Sequence, residues 1–178
     1  MTPAEYIQLK AFARIDGALL SVLWMLSFAC YIVGLTSQTF SLIAMVLAFF
    51  TPFFVGHRLR LFRDFAREGI ISFKRSWAYV VLMFFYGSLL FALAVFAYFA
   101  YLDQGYVLHV LQQMMEAPEM KEALKQLGME KSMEQLVSEL GMVRPIDVAI
   151  NLLTSNIIIG MFLGLPIGVL LRSNGNKK

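Results

Sequence analysis

Charge is what this sequence has least of. Only 15% of its 178 residues are Asp, Glu, Lys or Arg, where a soluble domain carries about a quarter. From Gly17 to Gly56 there is none at all. A soluble amphipathic helix would show a polar face every few positions, so this stretch excludes water as its main solvent. It is also near twice the ~20 residues that cross a hydrocarbon core, so the chain must fold back on itself within lipid.

Cysteine is equally scarce. Cys30 stands alone inside the first apolar run, which excludes an intrachain disulfide and leaves it as a small packing residue. Ser27, Phe28 and Ala29 do not make the lead of a lipidated cysteine, and the run continues past it. With no small-x-small cleavage site, and with Arg14 and Asp16 upstream, the first segment is expected to stay as an anchor.

Catalytic signatures are absent as well. The chain has no Gly-rich phosphate loop, no His-Glu-x-x-His, no Cys-x-x-Cys, no Gly-x-Ser-x-Gly and no charged pair inside an apolar block. A hydrolase, nucleotidase or metalloprotease is therefore not expected, nor is any cofactor or metal. The expectation is a protein that is not an enzyme.

What is present is apolar: 59% of residues, with a mean hydropathy of +0.69. The pattern predicts an all-α polytopic membrane protein, one membrane domain with spans at about residues 12–34, 40–57, 76–102 and 148–171. The turn of the first hairpin falls at Gly34-Leu35-Thr36-Ser37-Gln38-Thr39. Pro52 should kink the second span and Pro166 the fourth. Trp77 and Tyr79 at one end of the third span, with Tyr98, Tyr101 and Tyr106 at the other, match aromatic belts at both interfaces.

Orientation follows from the basic residues. The loop at 58–75 holds Arg58, Arg60, Arg63, Arg67, Lys74 and Arg75 against Asp64 and Glu68, while Lys10 and Arg14 precede the first span and Arg172, Lys177 and Lys178 follow the last. By the positive-inside rule these segments and both termini are cytoplasmic. The six cations of the loop are expected to contact the inner leaflet, with Leu61, Phe62, Phe65 and Ile70 as the apolar side of a helix lying flat on it. This clustering makes the lipid bilayer, and not nucleic acid, the partner implied by the net charge of +3.

The connection at 103–147 carries four cations against eight acids and reads as external. Tyr106 to Glu116 should continue the third span. Pro118 and Gly128 bracket one short amphipathic helix, and a second runs from about Glu130 to Leu140, where Gly141 stops it. Asp147 is the expected N-cap of the last span.

The stretch Phe-Arg-Asp-Phe-Ala-Arg-Glu-Gly-Ile-Ile-Ser-Phe-Lys-Arg-Ser-Trp, from Phe62 to Trp77, followed by an apolar span, resembles a family of bacterial four-span proteins catalogued as domain of unknown function 4199. The likeness extends in layout over most of the chain, and its distinctive motif is Gly-x-Ile-Ser-Phe at Gly69 to Phe73. The resemblance implies an integral inner-membrane protein. It brings no catalytic residue or cofactor with it.

Gly160, Gly164 and Gly168 fall at four-residue spacing and line one face of the last span. Such a face lets a second backbone approach closely, either in a homodimer or within the chain. Asn151, Thr154, Ser155 and Asn156 lie in the outer half of the same span. Polar groups in lipid need partners, so they are expected to face the bundle interior, and Asp147, Asn151 and Asn156 then line a polar vestibule.

Met114, Met115, Met120, Met129, Met133 and Met142 fall in the external connection, too dispersed for a soft-metal site with His109 but suited to a docking surface or to self-packing. His57 and His109 lie on opposite sides of the membrane and cannot cooperate. Arg14 and Asp16 are placed to pair with the basic loop.

Two functions are consistent with this pattern. One is a membrane scaffold or accessory subunit, with a second copy or another membrane protein as its partner. The other is a small transporter or channel entered through the polar vestibule.

Overall fold

The computed structural model describes residues 2–173. Lys177 and Lys178 lie outside the described residues. Four helices are long and apolar enough to cross a membrane, and among the described residues no strand forms beyond one isolated bridge, Ile71 with Ser173. The fold is that of an all-α polytopic membrane protein.

Helix α1 spans Pro3–Gly34 and begins well before the apolar block. Its start is set by a capping box: the Thr2 hydroxyl accepts the Glu5 N–H at 3.3 Å and the Glu5 carboxylate accepts the Thr2 N–H at 2.8 Å, so two donors with no partner inside the helix are satisfied at once. Its end is a tight hairpin. A β-carbon on Gly34 would lie 2.6 Å from the Ser41 backbone nitrogen, so only glycine lets α2 begin so close.

Helix α2 runs Gln38–Ala66 through Pro52 without a break. The segment from Arg58 onward, expected to lie flat on the leaflet, instead prolongs this helix. Leu59 and Phe62 are buried against the bundle, while Phe65 is 81% exposed. The chain turns at Glu68 and Gly69, both with positive φ, and α3 follows over Phe73–Ala97, prolonged by a π-helical turn at Tyr98–Leu102.

The third span does not continue into the next helix. Gln104 and Gly105 adopt positive φ, and the Asp103 carboxylate accepts the Gly105 N–H at 3.1 Å and the Val107 N–H at 3.2 Å. That cap starts a separate helix α4, Tyr106–Glu116. Helices α5, Pro118–Gln126, and α6, Glu130–Leu140, match the bounds set by Pro118, Gly128 and Gly141. Helix α7 covers Pro145–Leu171. Its N-cap position is Arg144, and Asp147 sits inside the first turn and pairs back to Arg144.

Helix α3 is central, packed on α1 and on α7, while α2 packs on α1. The α1–α3 crossing is close because two glycines meet there. A β-carbon on Gly17 would lie 2.7 Å from the Met83 carbonyl oxygen, and one on Gly87 would lie 3.0 Å from the Gly17 oxygen. The core of Leu9, Ala13, Leu20, Trp24, Val55, Leu59, Phe62, Tyr79, Val80, Met83 and Phe84 gathers around α1 and α3. Phe49, Phe53, Phe162 and Leu170 stand exposed; in water they would form an aggregating surface, and in hydrocarbon they are the solvated one.

Candidate functional site

The end of the bundle that carries the arginines, the basic end, is knitted by polar contacts. Asp16 is 2% exposed on α1. One carboxylate oxygen accepts hydrogen bonds from Arg58 of α2, through Nε at 2.7 Å and through Nη2; the other accepts the Tyr79 hydroxyl of α3. The buried charge is thereby paired and bonded by neighbouring helices, the condition under which a buried carboxylate persists. Phe62 stacks on the Tyr79 ring at 4.7 Å between centroids and closes the node from the α2 side.

A second cluster lies at the start of α1. Glu5 receives Arg67 at 3.0 Å and Arg75 at 2.5 Å, and Arg63 pairs with Asp64 and donates to the Leu171 carbonyl at 3.3 Å. Four of the six cations expected to contact lipid, Arg58, Arg63, Arg67 and Arg75, therefore have partners within the chain. Arg60 and Lys74 make no ion pair among the described residues. The contact expected between Asp16 and the basic segment is present; that of Tyr79 joins residues far apart in sequence.

The Gly69 to Phe73 motif acquires a structural meaning. Gly69 supplies the turn, with its N–H bonded to the Arg63 carbonyl at 3.0 Å. Ile71 is fully buried and exchanges two backbone hydrogen bonds with Ser173, at 3.1 and 2.9 Å. Ser72 occupies the N-cap of α3, and Phe73 packs against Gly168.

The glycine face of α7 is filled by α3. A β-carbon on Gly160 would overlap the Phe84 ring; on Gly164 it would lie 3.0 Å from Trp77 Cδ1, and on Gly168 3.3 Å from the Phe73 ring. The Trp77 indole N–H donates to the Met161 carbonyl at 3.0 Å. An aromatic ridge thus fits a glycine groove within one chain, and this face is not open to a second copy.

The polar residues of α7 depart from expectation. Asp147, Asn151, Thr154 and Ser155 line a shallow open depression, and Asn151 and Thr154 are exposed. They point away from the bundle because the opposite, glycine-lined face is committed to α3. Asn156 is half-buried and lies off this depression. Local bonds quiet the polar groups in part: Thr154 donates to the Ile150 carbonyl at 2.9 Å, Ser155 to the Asn151 side chain at 3.4 Å, and Arg144 holds Asp147 at 2.8 and 2.9 Å. The same carboxylate keeps the Arg144 guanidinium above its ordinary range.

At the far end, helices α4 to α6 form a loosely covered layer. An apolar pocket of about 310 Å³ lies between the α3 terminus, α4 and the α6–α7 hinge, lined by Phe99, Leu108, Leu111, Leu140 and Val148. Met115 borders a groove among α4, α5 and α6, while Met114, Met120, Met129 and Met142 are exposed. His109 is exposed on α4, and His57 on α2.

Among the described residues no group of three or more His, Cys, Asp or Glu is placed to hold a metal ion. No curated protein and no solved structure matches the chain. A family model described as protein of unknown function (DUF4199) matches residues 16–173, from the buried Asp16 to the bridging Ser173, and the chain belongs to that family.

Proposed function

We propose that the protein is a non-enzymatic membrane scaffold or accessory subunit that presents the polar face of α7 and the far-end helices to another membrane protein or to a second copy. The observation that carries this reading is the outward direction of Asn151 and Thr154. Hydrogen-bonding groups on a lipid-facing helix gain from a partner that supplies complementary groups. Exposed Leu127, Leu136, Leu140 and Met142 extend the same end beyond the membrane. A small transporter or channel would need the polar groups of α7 turned toward the bundle interior, and that reading draws no support from their outward direction.

The distribution of cations supports an orientation with the basic end and both termini in the cytoplasm, and the resemblance to four-span bacterial proteins supports an inner-membrane location. Reporter tags at the two ends should then read the same compartment.

Crosslinking in intact membranes followed by mass spectrometry tests the function. The expected result is a set of crosslinks from the 147–155 face or from α4 to α6 to a second membrane protein or a second copy. A protein that runs strictly as a monomer in mild detergent, with no crosslinked neighbour from native membranes, overturns the proposal.

A further inference from the structure

A groove of about 510 Å³ lies between α2 and α7 at the basic end. Its walls are Pro52, Phe53 and Gly56 on α2 and Ile167, Leu170 and Leu171 on α7, and its mouth carries His57 and Arg60. The groove is a product of small and absent atoms. A β-carbon on Gly56 would find Leu171 Cδ1 only at 3.9 Å, so the helices nearly touch there without filling the space beside them. Pro52, with its ring in place of an N–H, adds no side chain that reaches across.

Three observations point to one occupant. The groove borders side chains that face lipid, with Phe53 71% and Leu170 79% exposed, so an acyl chain reaches it without leaving hydrocarbon. Among the described residues no carboxylate lines it. And Arg60, at its mouth, makes no ion pair among the described residues, whereas its neighbours Arg58 and Arg63 do. A guanidinium left unpaired at the polar boundary of an apolar groove is matched by a phosphate attached to an acyl chain.

We propose that the α2–α7 groove is a binding site for an anionic phospholipid of the leaflet at the basic end, with an acyl chain against Phe53, Ile167 and Leu170 and the headgroup phosphate on Arg60, flanked by His57. The proposal does not depend on the scaffold reading or on which compartment the basic end faces.

Full-length protein in detergent micelles, titrated with phosphatidylglycerol and separately with phosphatidylcholine and followed by native mass spectrometry, provides the test. The parent should retain phosphatidylglycerol in preference to phosphatidylcholine. Arg60→Gln should bind it about fivefold more weakly, the scale of one cation at a membrane surface, while Arg60→Lys keeps most of the binding. Gly56→Leu fills the groove and should expel the lipid with Arg60 intact. Because Arg60 is exposed, its replacement leaves the fold in place. Unchanged phosphatidylglycerol binding in Arg60→Gln overturns the proposal. So does an equal loss in the Lys10→Gln/Arg14→Gln control, which would mark a diffuse basic surface. So does displacement of the lipid by glycerol phosphate at lipid-like concentrations, which would mark a headgroup site without the groove.

Discussion

The Phe84 ring of α3 occupies the space that a side chain at Gly160 of α7 would need. Glycine here is a matter of volume, and so the two readings of the glycine stripe give different outcomes on substitution. Gly160→Ala should destabilise the monomer by about 1–3 kcal/mol, the range for overpacking a fitted contact, and Gly160→Ala with Phe84→Leu should recover part of the loss. Unfolding in detergent, monitored by circular dichroism, reads both. A change in oligomer size with unaltered stability would contradict the packing seen here. Gly168→Ala, at 3.3 Å from Phe73, should be milder.

Asp16 is shared by Arg58 and Tyr79, and the members of this node are not equivalent. Arg58→Met strands a buried carboxylate and should cost about 3 kcal/mol or more, the scale for breaking a buried pair from one side. Tyr79→Phe removes a single hydrogen bond to a charged group and should cost about 1.5–3 kcal/mol. Asp16→Asn keeps an acceptor in place and should be less damaging than Arg58→Met. Equal unfolding midpoints for parent and Arg58→Met would show that the node is not formed.

The Trp77 indole donates to the Met161 carbonyl and also rests on Gly164. Trp77→Phe keeps much of the ring and loses the bond, so a loss of about 1 kcal/mol is expected. Trp77→Ala should cost more, about 2–3 kcal/mol, through lost packing of a half-buried ring. The difference between the two separates the hydrogen bond from the volume.

Asn151→Leu should leave unfolding within about 0.5 kcal/mol of the parent, as for an exposed position, while reducing crosslinks formed from the α7 polar face. Loss of stability without loss of association would mean that Asn151 has a role inside the bundle.

Much of this architecture is legible in the sequence because the strongest signals are local. The apolar blocks give four spans, and Pro118 and Gly128 set the bounds of α5. The Thr2–Glu5 box is a further local signal, which a reading by apolar blocks passes over. The contact of Asp16 with Tyr79 is of another kind, since nothing near either residue marks the other. Periodicity groups Asp147, Asn151 and Thr154 on one face of α7, yet it cannot say which way that face turns. The direction is decided by where the glycines find their aromatic partners, and those lie on α3. The charges from Arg58 to Arg67 hid the continuation of α2, because their partners Asp16 and Glu5 sit on α1.

The aromatic ridge of Phe73, Trp77 and Phe84 has its counterpart in the final span, and this imposes an order on biogenesis. When the third span enters the bilayer the ribosome has yet to deliver its mate, and until then that flank of the protein is covered by lipid tails alone. The hairpin of the first two spans can assemble with the third in the meantime, through Gly17, Gly87 and the Asp16 node. Only once the fourth span is made can Ser173 bond to Ile71, so a polypeptide halted before residue 145 would lack the partner of its aromatic ridge.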